Sequence, residues 1–130
     1  MHQAGLGPSD AAPGYDDGRL QVKPRDYLAL ADGSVLRLTP RQLALLAELA
    51  REPNRVRTRG DLLAAVWESE PSSGTRVVDV AVAHLRARLA EALPDRAYIH
   101  THPRIGYRFA AERVAEASGS RPEQPPRAAR

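Results

Sequence analysis

The sequence predicts an α+β domain in which a small antiparallel sheet comes first, three helices follow, and a β-hairpin closes the fold. Three observations carry this expectation. Short apolar-rich runs separated by turn residues fill residues 19–38, helical patterns opened by capping residues fill 39–92, and two strand-like runs flank His102-Pro103-Arg104.

The early runs are Arg19 to Val22, Tyr27 to Leu30 and Val35 to Leu38, and Asp32-Gly33 stands between the last two where a type I′ hairpin turn wants it. Thr39-Pro40-Arg41-Gln42 supplies a cap hydroxyl, a proline at the first helical position and a Gln three residues after the cap, which together open a helix. Leu43, Leu45, Leu46, Leu49 and Ala50 are its apolar residues, and Pro53-Asn54 stops it. Thr58 caps a short second helix with Leu62, Leu63, Val66 and Trp67 on one side. The third helix, 75–92, is capped by Thr75 or Gly74 and places Val78, Val82, Leu85 and Leu89 in one stripe. Tyr98 to Thr101 and Ile105 to Phe109 then form the closing hairpin.

A chain of 130 residues is expected to hold one domain. The formal charge is +3, yet residues 19–110 carry fifteen Lys or Arg against ten Asp or Glu, so the cationic surplus lies in the middle. That surplus suits a polyanionic partner but decides little alone. The absence of cysteine excludes disulfides, thiol nucleophiles and thiolate zinc sites. Residues 1–18 lack a signal-peptide pattern and no run approaches the roughly 20 apolar residues of a membrane span, so a soluble, cytoplasmic protein without membrane contact is expected. Residues 1–18 and 114–130 have almost nothing to bury and read as disordered tails around a domain at 19–113.

With successive side chains about 100° apart, the buried stripe of the third helix leaves Arg76, Val80, Ala83 and Ala87 outward, flanked by His84 and Arg86. In a DNA major groove Val80 can meet a thymine methyl, Arg76 and Arg86 a phosphate or guanine edge, and His84 a base or phosphate. The same face also fits a protein groove or an ordinary solvated surface. Arg104, with Thr101, His102 and Arg108 around it, makes a narrow basic ribbon suited to a minor groove or to phosphates. His84, His100 and His102 offer a weak metal constellation with no cysteine to support it, and neither a nucleophile–base pair nor a Gly-rich phosphate loop is present. No metal, cofactor or enzymatic activity is expected.

Four segments in order resemble the C-terminal effector domains of the OmpR/PhoB class of response regulators, a winged helix-turn-helix. They are Leu38-Thr39-Pro40-Arg41-Gln42 with Leu45-Leu46, the run from Leu62 to Trp67, Arg76-Val77-Val78-Asp79-Val80 with Leu85-Arg86, and the run from Ile105 to Phe109. The resemblance spans residues 19–110 and implies an N-terminal four-stranded sheet, into which the early strands or Arg55 to Arg57 would fit, then three helices and a C-terminal wing. It implies double-stranded DNA as partner, with helix contacts from Arg76, Val77, Val80, Ala81, Ala83, His84 and Arg86 and wing contacts near Thr101, His102 and Arg104. Trp67 resembles a position that packs on the core and can touch a phosphate, and Glu68 to Ser73 corresponds to a loop that meets RNA polymerase. Head-to-tail pairing on DNA is a further expectation. Relatives often carry arginines where this chain has Ala83 and His84, and an Arg-Gly pair where it has Pro103-Arg104. The acidic phosphoacceptor domain is not expected here, since residues 1–18 are too few to hold it. The alternative is a winged-helix interaction module, an accessory or competitor that binds polymerase or another regulator.

Overall fold

The computed structural model describes residues 14–69 and 74–114. Residues 1–13 of the tail predicted over 1–18, residues 115–130 of that predicted over 114–130, and residues 70–73 of the loop expected to meet polymerase lie outside these. Strands β1 (Tyr15–Asp16), β2 (Leu20–Lys23), β3 (Leu28–Ala31) and β4 (Ser34–Val35) form an antiparallel sheet in sequence order. Asp32 and Gly33 both have positive φ, +50° and +83°, as the expected type I′ turn between β3 and β4 requires. Strand β1 corrects the expected tail at 1–18, because Tyr15 and Asp16 pair with Val22 and Gln21. A two-residue strand has no alternation to read, and it is held from a distance. The Tyr15 ring packs edge-on against Phe109 at 4.8 Å. The Asp17 carboxylate accepts the amides of Arg19 and Leu20 at 2.9 and 2.8 Å and the hydroxyls of Tyr15 and Tyr98 at 3.0 Å each.

Helix α1 (Pro40–Ala50) opens with the expected reciprocal cap: Thr39 Oγ1 accepts from the Gln42 amide at 3.1 Å, and Gln42 Oε1 accepts from the Thr39 amide at 2.9 Å. Strand β5 (Val56–Thr58) follows, then α2 (Arg59–Leu62), capped by Thr58 and widening into a π turn over Leu63–Trp67. Helix α3 (Arg76–Ala92) buries Val78, Val82, Leu85 and Leu89, the predicted stripe. Thr75 precedes it without a side-chain cap, and the Val78 amide bonds the Thr75 carbonyl at 3.0 Å instead. Strands β6 (Arg96–His102) and β7 (Gly106–Arg113) form the closing hairpin.

The early strands alone make the N-terminal sheet. Residues 56–58 join the wing instead, in a three-stranded sheet of order β5-β7-β6. Gly106 makes this possible, because a Cβ there would lie 1.9 Å from the Arg57 carbonyl oxygen. The Arg57 side chain turns the other way and is buried, donating to the Glu48 carbonyl at 3.0 Å and to its carboxylate at 2.8 Å. Thus β5 is pinned to the wing by its backbone and to α1 by its guanidinium.

The wing and the two helices before it meet at Tyr107. Its buried hydroxyl donates to Asp79 Oδ1 at 2.5 Å, and Arg59 Nε donates to the same oxygen at 2.7 Å. The guanidinium carbons of Arg59 and Arg86 lie 5.0 and 5.5 Å from the Tyr107 ring centroid, within cation–π range. Burial alone would raise the Asp79 carboxyl, but the hydrogen bonds from Tyr107 and Arg59 and the charges of Arg59 and Arg76 outweigh it and hold the pKa below its ordinary value. Burial, followed by the bond to Asp79, pushes the Tyr107 phenol up.

Gly106→Ala should force β5 from β7 and cost about 3 kcal/mol, read as an earlier urea midpoint; an unchanged midpoint would show that the strands separate freely. Because the folded pKa of Asp79 is depressed, its contribution is present above the unfolded carboxyl pKa of about 4 and is lost as pH falls through the folded value. Asp79→Asn should therefore cost about 1 kcal/mol at neutral pH and flatten the acid limb of the stability profile. A variant profile parallel to the parent's at every pH would remove this role.

Candidate nucleic-acid interface

The buried stripe fixes which side of α3 faces outward. Arg76, Val77, Val80, Ala83, His84 and Ala87 are all exposed there, Val77 and Val80 each at 44%. Ala81 is instead half-buried against the core. Arg76 makes no hydrogen bond or contact ion pair among the described residues, though its charge is felt by Asp79. This face is slim, with one arginine at its N-terminal end and small or apolar side chains along its middle.

Arg86 has a different setting from the one its helical position suggests. Its Nε donates to the Ile99 carbonyl at 3.0 Å, a second nitrogen donates to the Thr101 hydroxyl, and its plane lies near the Tyr107 ring. Helix periodicity places Arg86 on a flank, but strand β6 folds back over that flank and supplies acceptors. The residue joins α3 to the wing, and it brings Thr101 to the edge of the helix.

At the wing tip the Ile105 amide donates to the His102 carbonyl at 2.9 Å, closing a turn around Pro103 and Arg104. Arg104 takes a left-handed backbone, φ +68°, at the position where glycine is ordinary, and its side chain is exposed without a partner among the described residues. Ile105 beside it is 53% exposed. His102 is partly buried, and its Nε2 accepts from Arg108 Nε at 3.1 Å, which assigns the imidazole proton to Nδ1. Arg108 also reaches Glu112 at 3.5 Å. His102 is thereby committed within the hairpin, and Thr101 and Arg104 are exposed polar residues near its tip.

Trp67 packs on the core from the end of α2 and carries the Arg41 guanidinium 5.1 Å from its ring centroid. Arg41, Arg59, Tyr107 and Ile105 are the residues that sequence reasoning did not assign to the site. Their signal is three-dimensional: Arg59 and Asp79 lie twenty positions apart, and Tyr107 reads simply as an apolar strand residue. No group of three or more His, Cys, Asp or Glu able to hold a metal occurs among the described residues.

Comparison with known proteins places this geometry. Residues 33–109 match the family described as "Transcriptional regulatory protein, C terminal". Over 99 residues the chain is 37% identical to the alkaline phosphatase synthesis transcriptional regulatory protein PhoP of Bacillus subtilis, covering 76% of this chain and 41% of that protein. It is 35% identical over 92 residues to the transcriptional regulatory protein AfsQ1 of Streptomyces coelicolor, covering 71% and 41%. The chain thus spans about two fifths of the length of these relatives. The structure resembles the RstA DNA-binding domain of Klebsiella pneumoniae in complex with the RstA box, at TM-score 0.67 and 27% identity, covering 75% of this chain and 96% of that one. It also resembles the DNA-binding domain of Escherichia coli CadC, at TM-score 0.66 and 29% identity over 77% and 94%. The fold is a winged helix-turn-helix of OmpR/PhoB type, and the chain belongs to the family of transcriptional regulatory protein C-terminal domains, a family of transcription regulators and not of enzymes.

Proposed function

We propose that this domain binds double-stranded DNA sequence-specifically as a transcriptional regulator, with α3 in the major groove and the wing on the adjacent minor groove or its phosphates. The observation that carries this reading is the pairing of two uncommitted arginines, Arg76 on the outward face of α3 and Arg104 at the wing tip, across a scaffold that Arg86 and Tyr107 make rigid. Val80 and His84 are the residues placed to read bases: Val80 meets a thymine methyl, His84 a base edge or phosphate. Ala83 lets the backbone approach closely. Arg104 enters the concentrated negative potential of a narrow minor groove, and Trp67, with Arg41 on its ring, offers a further phosphate contact. The arrangement is sparse in charge, so specificity rests on shape and apolar contact more than on counterion release. The wider reading includes head-to-tail pairing on repeated half-sites, a polymerase contact through residues 68–73, and action in the cytoplasm, where the DNA is.

Selection of bound duplexes from a random pool tests the function and reports half-site spacing together; recovery of no common sequence, with no duplex bound at low salt, would sink it. Arg104→Ala should weaken binding about three- to tenfold on every sequence and reduce the salt slope by about one unit, whereas His84→Ala should relax preference at one base step and leave the slope unchanged. Equal slopes for Arg104→Ala and the parent would take Arg104 off the phosphates. If pairing operates, a duplex with two half-sites should bind more tightly per site than one with a single half-site; equal per-site affinity would exclude it.

A further inference from the structure

Four ionisable side chains share the outer face of the wing hairpin, opposite the face that carries Thr101 and Tyr107. His100 stands across the ladder from Arg108, with His102 beyond them toward the tip and Glu112 toward the root. Arg108 Nε donates to His102 Nε2 at 3.1 Å, and a second nitrogen of the same guanidinium lies 3.5 Å from Glu112 Oε2. The other oxygen of Glu112 is 3.7 Å from His100 Nε2, which in turn is 2.9 Å from the Ala110 carbonyl oxygen.

The two histidines answer a proton in opposite ways. A carbonyl oxygen can only accept, so His100 Nε2 donates to Ala110; a proton on its other nitrogen leaves that bond intact and places a positive charge beside Glu112. An arginine Nε–H can only donate, so His102 Nε2 must offer a bare lone pair to Arg108. A proton on that nitrogen turns the acceptor into a donor and sets an imidazolium against a guanidinium. The bond breaks, and the two side chains must part.

Among the described residues, no unshared carboxylate faces His102 to take the new charge. Its neighbours in the wing sheet are Gly106 and, beyond it on β5, Thr58, with Val56 beside Arg108. Glu112 is already divided between Arg108 and His100, and Arg104 follows at the tip. The charged groups of the helices behind, Arg59, Asp79 and Arg86, are engaged on the other face of the sheet. A protonated His102 thus adds a cation to a part of the wing that holds two arginines already, and a phosphate is the group that would satisfy it.

We infer that His102 is a proton-operated clasp on the wing: neutral, it holds Arg108 within the hairpin; protonated from solvent at Nε2, it releases Arg108, so that the domain takes up a proton as it binds DNA. The inference rests on the reading of the wing as a DNA contact. By linkage, a duplex that favours the protonated wing must bind more tightly as pH falls through the range in which imidazoles titrate, about pH 5 to 8.

Two measurements on the full chain test it. In the free protein, nitrogen resonances should show the His102 ring bare at Nε2 and protonated at Nδ1 at about pH 8, and the Arg108 Nε signal should shift with the same midpoint as that ring on acidification. A mixed-sequence duplex then serves as probe, because the contact is to phosphate. The parent should bind it about three- to tenfold more tightly at about pH 5.5 than at about pH 8, with a salt slope steeper by about one unit. His102→Gln can accept from Arg108 but cannot be protonated, and it should lose that gain in slope. His102→Lys carries its charge throughout and should show the steep slope at both pH values, which loss of packing could not produce; His100→Gln should keep the parent's gain. A His102 ring protonated at Nε2 at the higher pH, no acid gain in the parent, a gain that survives His102→Gln, or a slope for His102→Lys that still steepens with acid would each overturn the inference and leave the DNA reading standing. Absence of duplex binding by the parent at either pH would remove the DNA reading, and this inference with it.

Discussion

The Asp79 carboxylate accepts the Tyr107 hydroxyl and the Arg59 guanidinium at one oxygen, and so joins α2, α3 and β7 at one point. Burial of Val78, Val82, Leu85 and Leu89 fixes which face of α3 points inward, but a stripe of aliphatic side chains leaves sliding and tilting soft. Directional bonds to a charged acceptor remove that freedom. Tyr107 adds a second constraint, because its ring has the guanidinium of Arg59 on one helix and that of Arg86 on the next within cation–π range. The pair of helices and the wing consequently move as one body.

Arg57 performs the parallel task behind the interface. It is a buried cation satisfied by the carbonyl and carboxylate of Glu48, so removing either partner would strand a charge in the core. Because its backbone lies against Gly106, the same residue sets the distance between α1 and the wing sheet. The outward face of α3 and the wing are thus supported at the start of β7 by two adjacent residues, Gly106 against β5 and Tyr107 against α2 and α3.

Local, contiguous signals in the sequence translated directly into structure. The Thr39–Gln42 cap, the Asp-Gly turn and the apolar period of α3 each depend on residues a few positions apart, and each is present. Features built from distant partners were not legible. Tyr15 and Asp16 carry no strand pattern and are held by Phe109 and Val22; β5 belongs to the wing only because Gly106 admits its backbone. The same divide runs through the site. Asp79 could be read as a salt-bridge partner, since it lies beside the buried edge, yet nothing local marks Arg59 as the cation it meets. Arg86 falls on a flank of the helical wheel, and nothing local marks the carbonyl of Ile99, thirteen residues later, as its acceptor. Ala81, which the resemblance put among the helix contacts, is half-buried, because its small side chain fits at the margin of the core.

The turn at Pro103-Arg104 shows what this arrangement favours. A glycine at the left-handed position would relax the backbone and present nothing, whereas arginine there accepts a strain of about 1 kcal/mol and has the direction of its Cα–Cβ bond set by the turn. Proline before it narrows that direction further. The tip of the wing is therefore set at its root before any partner arrives: the hairpin decides where Arg104 starts, and the torsions of its long side chain are the freedom that is left to it.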